Sequence, residues 1–262
     1  MIVRLLDPPM HEFLPKDSKE IVAFASKLKK SPDKLAERIE SLQESNPMLG
    51  HRGCRLGISK PEIYKMQTEA IFRSAIKLHQ EGQQIKPEIM VPLIADQKEL
   101  ACIKEYLVQH IEQLFKQYGQ EPFPYEIGTM IELPRACLTA DKLVQEADFL
   151  SFGTNDLTQM TYGFSRDDIG KFIGHYKDKD ILSFDPFQKI DREGVGELMR
   201  IAISKARQVK PNLTIGICGE VGGDPSSISF FQDIQFTYVS CSPYRVPAAR
   251  LAVAQAAIQA KN

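Results

Sequence analysis

The feature that most constrains this chain is a repeated order: a short apolar run, then a longer amphipathic stretch, again and again along 262 residues. The runs are Val3–Leu6, Leu49–Gly53, Ile89–Ile94, Ile127–Leu133, Phe149–Gly153, Leu213–Cys218 and Tyr238–Cys241. They are apolar without strict alternation, the pattern of strands covered on both faces in a parallel sheet. The intervening stretches carry helix signals. Ser31 and Pro32 read as an N-cap and first-turn proline before the stripe Leu35, Ile39 and Leu42, and Asp224 with Pro225 repeats that signal before Ile228 and Phe231. Ile63, Met66, Ile71, Ala75 and Leu78 predict a second apolar face, and Leu100, Ile103, Leu107, Ile111 and Leu114 a third. The alanine-rich stretch from Ala248 to Ala260 predicts a C-terminal helix.

Such an order fits either a doubly wound sheet or a (β/α)8 barrel of the triosephosphate-isomerase type. Polar residues at the C-terminal ends of the runs favour the barrel: Arg4 with Asp7, Arg52, Glu132, Asn155 with Asp156, and Cys218 with Glu220. Ligand groups contributed by many strand ends suit a barrel mouth better than the single crevice of an open sheet. Seven runs are found where eight are needed, and the chain opens almost directly in a strand. The expectation is one barrel domain over residues 1–262 that lacks its first βα unit.

Composition narrows the function classes. Lys and Arg number 33 against 34 Asp and Glu, a formal charge of −1, so the basic surplus of a nucleic-acid binder is missing. No apolar run approaches the roughly 20 residues of a membrane span, and the start MIVRLLDPPM lacks the pattern of a secretory leader. Five scattered cysteines (Cys54, Cys102, Cys137, Cys218 and Cys241) form no CxxC pair, which predicts reduced thiols and a cytoplasmic location. The histidines form no HExxH arrangement, and there is no phosphate-binding loop of the GxxxxGK[ST] kind.

Glu132 and Asp156 are the candidate metal ligands. Two carboxylates with water and a substrate oxygen make an incomplete octahedral shell suited to Mg²⁺ or Mn²⁺. The alternatives are a pair between Glu132 and Arg135, and Asp156 as a helix cap. Asn155 can donate its amide to an anion, though Asn-Asp is also an ordinary turn pair. Arg4, Arg52, Arg55 and Arg166 are candidate anion holders, or else members of structural ion pairs. Arg4 is notable because it interrupts the apolar run IVRLL. Cys218 precedes a glycine-rich turn and a capped helix in TIGICGEVGGDP, a setting expected to lower a thiol's pKa; close packing of a small residue is the alternative.

VRLLDPPMHEFLP, NPMLGHRGCRLG, PEIMVPLI, GTMIELPRACLTAD, FGTNDLTQMTYGFSRDD, GICGEVGGDPSS and YVSCSPYRVPAARLAVAQ occur in that order. Together they resemble the C-terminal phosphoenolpyruvate/pyruvate-binding barrel of the pyruvate, phosphate dikinases, within the family of PEP-utilising enzymes. The resemblance implies Mg²⁺ on Glu132 and Asp156. It implies substrate contacts from Arg4, Arg52, Glu132, Gly153, Thr154, Asn155, Asp156 and Arg166, with Cys218 as the acid/base at the methylene carbon. It also implies a phosphohistidine domain as partner, absent here along with the ATP-grasp domain, and association as a homodimer; the charge balance and the lack of an apolar span predict neither nucleic acid nor membrane as a partner. Where the family carries a histidine after CGE, this chain has Val221. An inactive, self-associating fragment and a metal-dependent C–C lyase acting on 2-oxo acids are the competing readings.

Overall fold

A computed structural model describes residues 1–259. Six parallel strands form one sheet in sequence order: β1 (Ile2–Arg4), β2 (Glu88–Val91), β3 (Glu126–Ile131), β4 (Phe149–Gly153), β5 (Thr214–Cys218) and β6 (Tyr238–Val239). Between β1 and β2 run α1 (Ser18–Leu28), α2 (Pro32–Glu40), α3 (Cys54–Ser59) and α4 (Pro61–Gln80), and α5 (Gln97–Gln117) joins β2 to β3. Two short helices, α6 (Pro134–Leu138) and α7 (Ala140–Glu146), lead into β4. Then come α8 (Thr154–Tyr162), α9 (Ile173–Asp178) and α10 (Val195–Val209) before β5, α11 (Pro225–Asp233) before β6, and α12 (Val246–Gln259) at the end. The alanine-rich helix is therefore present; its expected last residue, Ala260, lies outside the described residues.

The expected strand at Leu49–Gly53 does not exist. Pro47–Leu49 is a 3-10 turn, and Gly53 takes a left-handed φ of +55° before α3 begins. A proline without an N–H and a glycine in that region break an extended ladder. The segment instead crosses the ends of two strands: Gly53 N donates to Asp7 O (3.1 Å) and Cys54 N to Pro92 O (3.2 Å). The seven expected strands become six among the described residues, with β1 and β6 at the two edges of the sheet.

Strand periodicity sorts side chains into two environments. Leu5, Ile89, Val91, Ile127, Ile131, Leu150, Phe152, Ile215 and Ile217 point outward into the main core beneath the helices. Met90, Met130 and Phe149 form a separate small cluster on the other face, with Ile2 and Cys218 against it. Residues from both edge strands line one cavity on that inner face, so the sheet is strongly curled. Gly216 permits this locally: it pairs with Ser151 on one side and Tyr238 on the other, and a Cβ there would overlap the Tyr238 ring.

Helix α5 follows its expected stripe, with all five positions buried and a capping box between Asp96 and Glu99. Helix α4 is rotated from expectation. Its buried face is Tyr64, Thr68, Phe72, Ala75 and Ile76, while Met66 is 64% exposed. Aromatic packing decides the rotation: Phe72 meets Phe115, Phe123 and Tyr125, and Tyr64 donates its hydroxyl to Leu6 O. Among the described residues no helix is long and apolar enough to cross a membrane.

Candidate functional site

The C-terminal ends of the strands open on a cavity of about 420 Å³. Its upper wall carries Arg4 after β1, Glu132 after β3, Gly153 through Asp156 at the β4–α8 junction, and Cys218 with Gly219 at the end of β5. Its lower wall is Ile2, Met90, Met130, Ser151 and Tyr238. Eight of the predicted site residues thus meet, or touch a residue that does; Arg166 is the ninth and stands apart. It is exposed and lines a separate cleft with Lys177, Lys189, Glu220 and Arg245.

Glu132 is 1% exposed, and its Oε1 accepts the backbone N–H of Leu93 at 2.6 Å. Leu93 is held at φ +62°, a conformation costing an L-residue roughly 1–2 kcal/mol. Its carbonyl accepts from Cys54 Sγ (3.1 Å), so both ends of this residue are pinned. Arg135 takes Asp96 as its partner (2.9 Å), which leaves Glu132 to the cavity. Burial pushes the Glu132 carboxyl up to about 8, with Asp156 and Asp7 adding like-charge repulsion.

Arg52 is 3% exposed and does not line the cavity wall. Its Nη2 donates to Asp7 Oδ2 at 2.7 Å, its Nη1 to Asp156 Oδ1 at 3.1 Å and to Met48 O at 3.4 Å, and its Nε to Asp7 O at 3.3 Å. Burial opposes that charge, but Asp156 and Asp7 outweigh it and hold the guanidinium more firmly protonated than usual. Asp156 itself is pushed up by burial and held back by Arg52. It is therefore the acceptor of an arginine and not a helix cap. Asp7 also meets Arg4 Nη1 at 3.6 Å, while its second oxygen is buried without a partner. Three carboxyl groups face two guanidinium groups here, so ionising Glu132 along with Asp7 and Asp156 would leave the site short of positive charge.

The β4–α8 junction is built for close approach. A Cβ on Gly153 would overlap the Glu132 carboxylate, and α8 starts there with no side chain capping its first N–H groups. Free N–H groups at a helix start favour an anion. Thr154 Oγ1 reaches Cys218 O (3.5 Å), tying α8 to β5, and Asn155 Oδ1 is buried with no partner.

The expected lowering of the Cys218 pKa does not occur. Burial pushes the thiol up, the neighbouring Ser151 hydroxyl only partly opposing it, and Glu132 adds to the rise; the Sγ itself donates to Phe152 O at 3.5 Å. The nearby helix cannot help, because its N-terminus is already occupied: Asp224 Oδ2 accepts from Ser227 N at 2.7 Å and from the hydroxyls of Ser226 and Ser227. Val221 is 1% exposed and belongs to the main core, away from the cavity wall. Sequence reasoning missed Leu93, Ser151, Tyr238 and Met130 as site residues. Only Ser151 carried a signal, a hydroxyl inside the apolar run FLSFG.

The donor set suits a hard divalent cation: two carboxyl groups on one cavity, one of them so desolvated that it ionises readily only with added positive charge.

A family model described as PEP-utilising enzyme, PEP-binding domain, matches residues 1–258. Pyruvate, phosphate dikinase of Clostridium symbiosum is 52% identical over 262 residues, covering 100% of this chain and 30% of that protein. The chloroplastic pyruvate, phosphate dikinase of Mesembryanthemum crystallinum is 51% identical over 255 residues, 97% of this chain and 27% of that one. The Rhizobium meliloti (strain 1021) pyruvate, phosphate dikinase is 52% identical over 261 residues, 99% and 29% respectively. The chain thus spans less than a third of the length of these relatives. A solved citrate lyase from Burkholderia xenovorans LB400 aligns with a TM-score of 0.42 at 16% identity over 63% of this chain and 48% of that one, too loose a likeness to bear on the fold.

Proposed function

The chain belongs to the PEP-binding domain family of the PEP-utilising enzymes, and from that premise we propose that it is the pyruvate-handling part of a pyruvate, phosphate dikinase. In this reading it binds phosphoenolpyruvate or pyruvate in the cavity while a phosphohistidine on another domain takes up or gives the phosphoryl group. The observation that carries the reading is the meeting of Arg4, Glu132, Asn155, Asp156 and Cys218 on one wall. The six curled strands are read as part of a (β/α)8 barrel, and the protein as a cytoplasmic one.

Glu132 and Asp156 would hold Mg²⁺, which when bound supplies positive charge to substrate oxygens. Arg4 and the uncapped start of α8 hold the substrate's anionic groups, and Arg52 fixes Asp156 and Asp7 from behind. When the phosphoryl group leaves for histidine, the bond from phosphorus to the enol oxygen breaks and a three-carbon enolate remains. The Cys218 S–H bond then breaks as a C–H bond forms at the terminal carbon, and the thiolate recovers its proton from water. A thiol whose pKa is raised by burial still carries its proton at neutral pH, as a donor must. Without Ser151 and Glu132 in its surroundings, that balance would change.

Titration calorimetry of this chain with oxalate, a planar analogue of the enolate, should show saturable binding only with Mg²⁺ present. Absence of heat under those conditions refutes the reading. Cys218→Ala should keep that binding yet slow exchange of pyruvate methyl protons with D₂O by about 100-fold or more, the span of a general acid–base group.

A homodimer is part of the proposal. Tyr244, Leu251, Val253 and Ile258 in and before α12 are exposed apolar residues, and an open sheet edge adds unpaired backbone groups. Sedimentation should give a dimer at micromolar concentration; a clean monomer contradicts it.

A further inference from the structure

The polar wall of the cavity has an apolar counterpart one layer deeper. Met130 on β3 stands two residues before Glu132, which follows the strand directly, and both side chains reach Gly153 from the same face. Met130 pairs in register with Ser151, and Met90 on β2 pairs with Arg4. Both methionines are buried, at 2% and 6% exposure, and belong with Phe149 to the small inner cluster rather than to the core beneath the helices. Cys218 packs against that cluster. The terminal methyl of Met130 reaches the β4–α8 junction, where it would lie 2.6 Å from a Cβ placed on Gly153. A ligand whose anionic end lies against Arg4 and the start of α8, on the wall that carries Glu132, would therefore place its carbon terminus on Met130 and Met90 beside the sulfur of Cys218.

We propose that Met130, backed by Met90, fixes the chain length of the acid: its side chain admits a terminal methyl or methylene and excludes an ethyl. The inference rests on the pyruvate reading above and adds the specificity residue to it. Discrimination by one methylene in an apolar pocket amounts to about 10–200-fold. A methionine floor lies at the lower end of that range, because an unbranched thioether can shift to make room. Met130→Ala removes three heavy atoms from the floor and opens a space that a fourth substrate carbon can fill.

The test is calorimetric competition against bound oxalate, with Mg²⁺ present, using pyruvate and 2-oxobutyrate on the wild-type chain and on M130A. Wild type should favour pyruvate. M130A should lower the ratio of the 2-oxobutyrate Kd to the pyruvate Kd by about 10-fold or more. Oxalate has no terminal carbon to meet the floor and is the common competitor in each protein, so any change in its own Kd cancels from the ratio. An unchanged ratio with oxalate binding intact overturns the inference and spares the pyruvate reading. No oxalate binding by the wild-type chain overturns the pyruvate reading itself and the inference with it. If M130A does not fold, the milder M130V carries the same comparison, and an unchanged ratio there is equally decisive.

Discussion

Glu132→Gln is expected to abolish Mg²⁺-dependent oxalate binding and, in the metal-free protein, to raise stability as the pH rises above about 5. The carboxyl ionises near 4.5 when exposed and is pushed up to about 8 in the fold, first by burial and then by Asp156 and Asp7. The folded state thus keeps a proton that the unfolded chain releases. Between about 4.5 and about 8 this group's contribution to stability falls as the pH rises, by roughly 1.4 kcal/mol for each pH unit. Glutamine keeps the acceptor for Leu93 N–H and has no charge to desolvate. The two proteins should melt alike near pH 4 and diverge toward pH 8, with E132Q the more stable, when thermal melts are run in a chelator. Adding Mg²⁺ should stabilise only the wild type. Parallel melting curves across the range would show that Glu132 is already ionised without metal, and that the site has another source of neutralising charge.

Much of this site was legible because its residues break the local pattern. Arg4, Glu132, Asn155, Asp156 and Cys218 each stand where an apolar run ends, and parallel strands that end together bring such residues together. The same reasoning fails at Arg166. It follows α8 at a distance, no strand end fixes its place, and it comes to rest in another cleft. The run at Leu49–Gly53 misled for a related reason: two apolar residues between Pro47 and Gly50 are too few to outweigh the backbone preferences around them. Helix α5 was readable because its stripe is made of similar aliphatic residues. Helix α4 offers two competing faces, and only the partners Phe115 and Phe123 select the aromatic one.

Electrostatic outcomes were the least legible part, since they depend on residues far apart in the chain. The thiol of Cys218 sits beside a glycine-rich turn and a helix start, both of which lower a pKa in isolation. Desolvation by the methionine cluster and the capture of the helix start by Asp224 reverse the result. The left-handed Leu93 is likewise invisible in the run PLI, because its strain is held by Glu132 and Cys54, each 39 residues away.

The largest loss of stability should come from Arg52→Ala. The guanidinium is buried, bridges Asp7 and Asp156 and donates to two backbone carbonyls, so its removal strands Asp156, leaves Asp7 only the half-exposed Arg4 at 3.6 Å, and frees two acceptors at once. Breaking a buried pair from one side costs about 3–5 kcal/mol, because the remaining charge has no partner. Urea unfolding at neutral pH should show a loss of that size, and Arg52→Lys should recover only part of it, since one ammonium cannot reproduce a fork that reaches both acids. The deficit should also shrink on acidification, as Asp156, already pushed up by burial, takes up a proton that the missing cation no longer opposes. Replacing Asp7 by Asn in the R52A background should relieve some of the penalty, giving a coupling energy between the two sites. A loss below about 1 kcal/mol, the size of an exposed pair, would mean that water already shields these acids. Arg52 would then be free to turn into the cavity toward a ligand, and its role as the pin behind Asp156 would have to be given up.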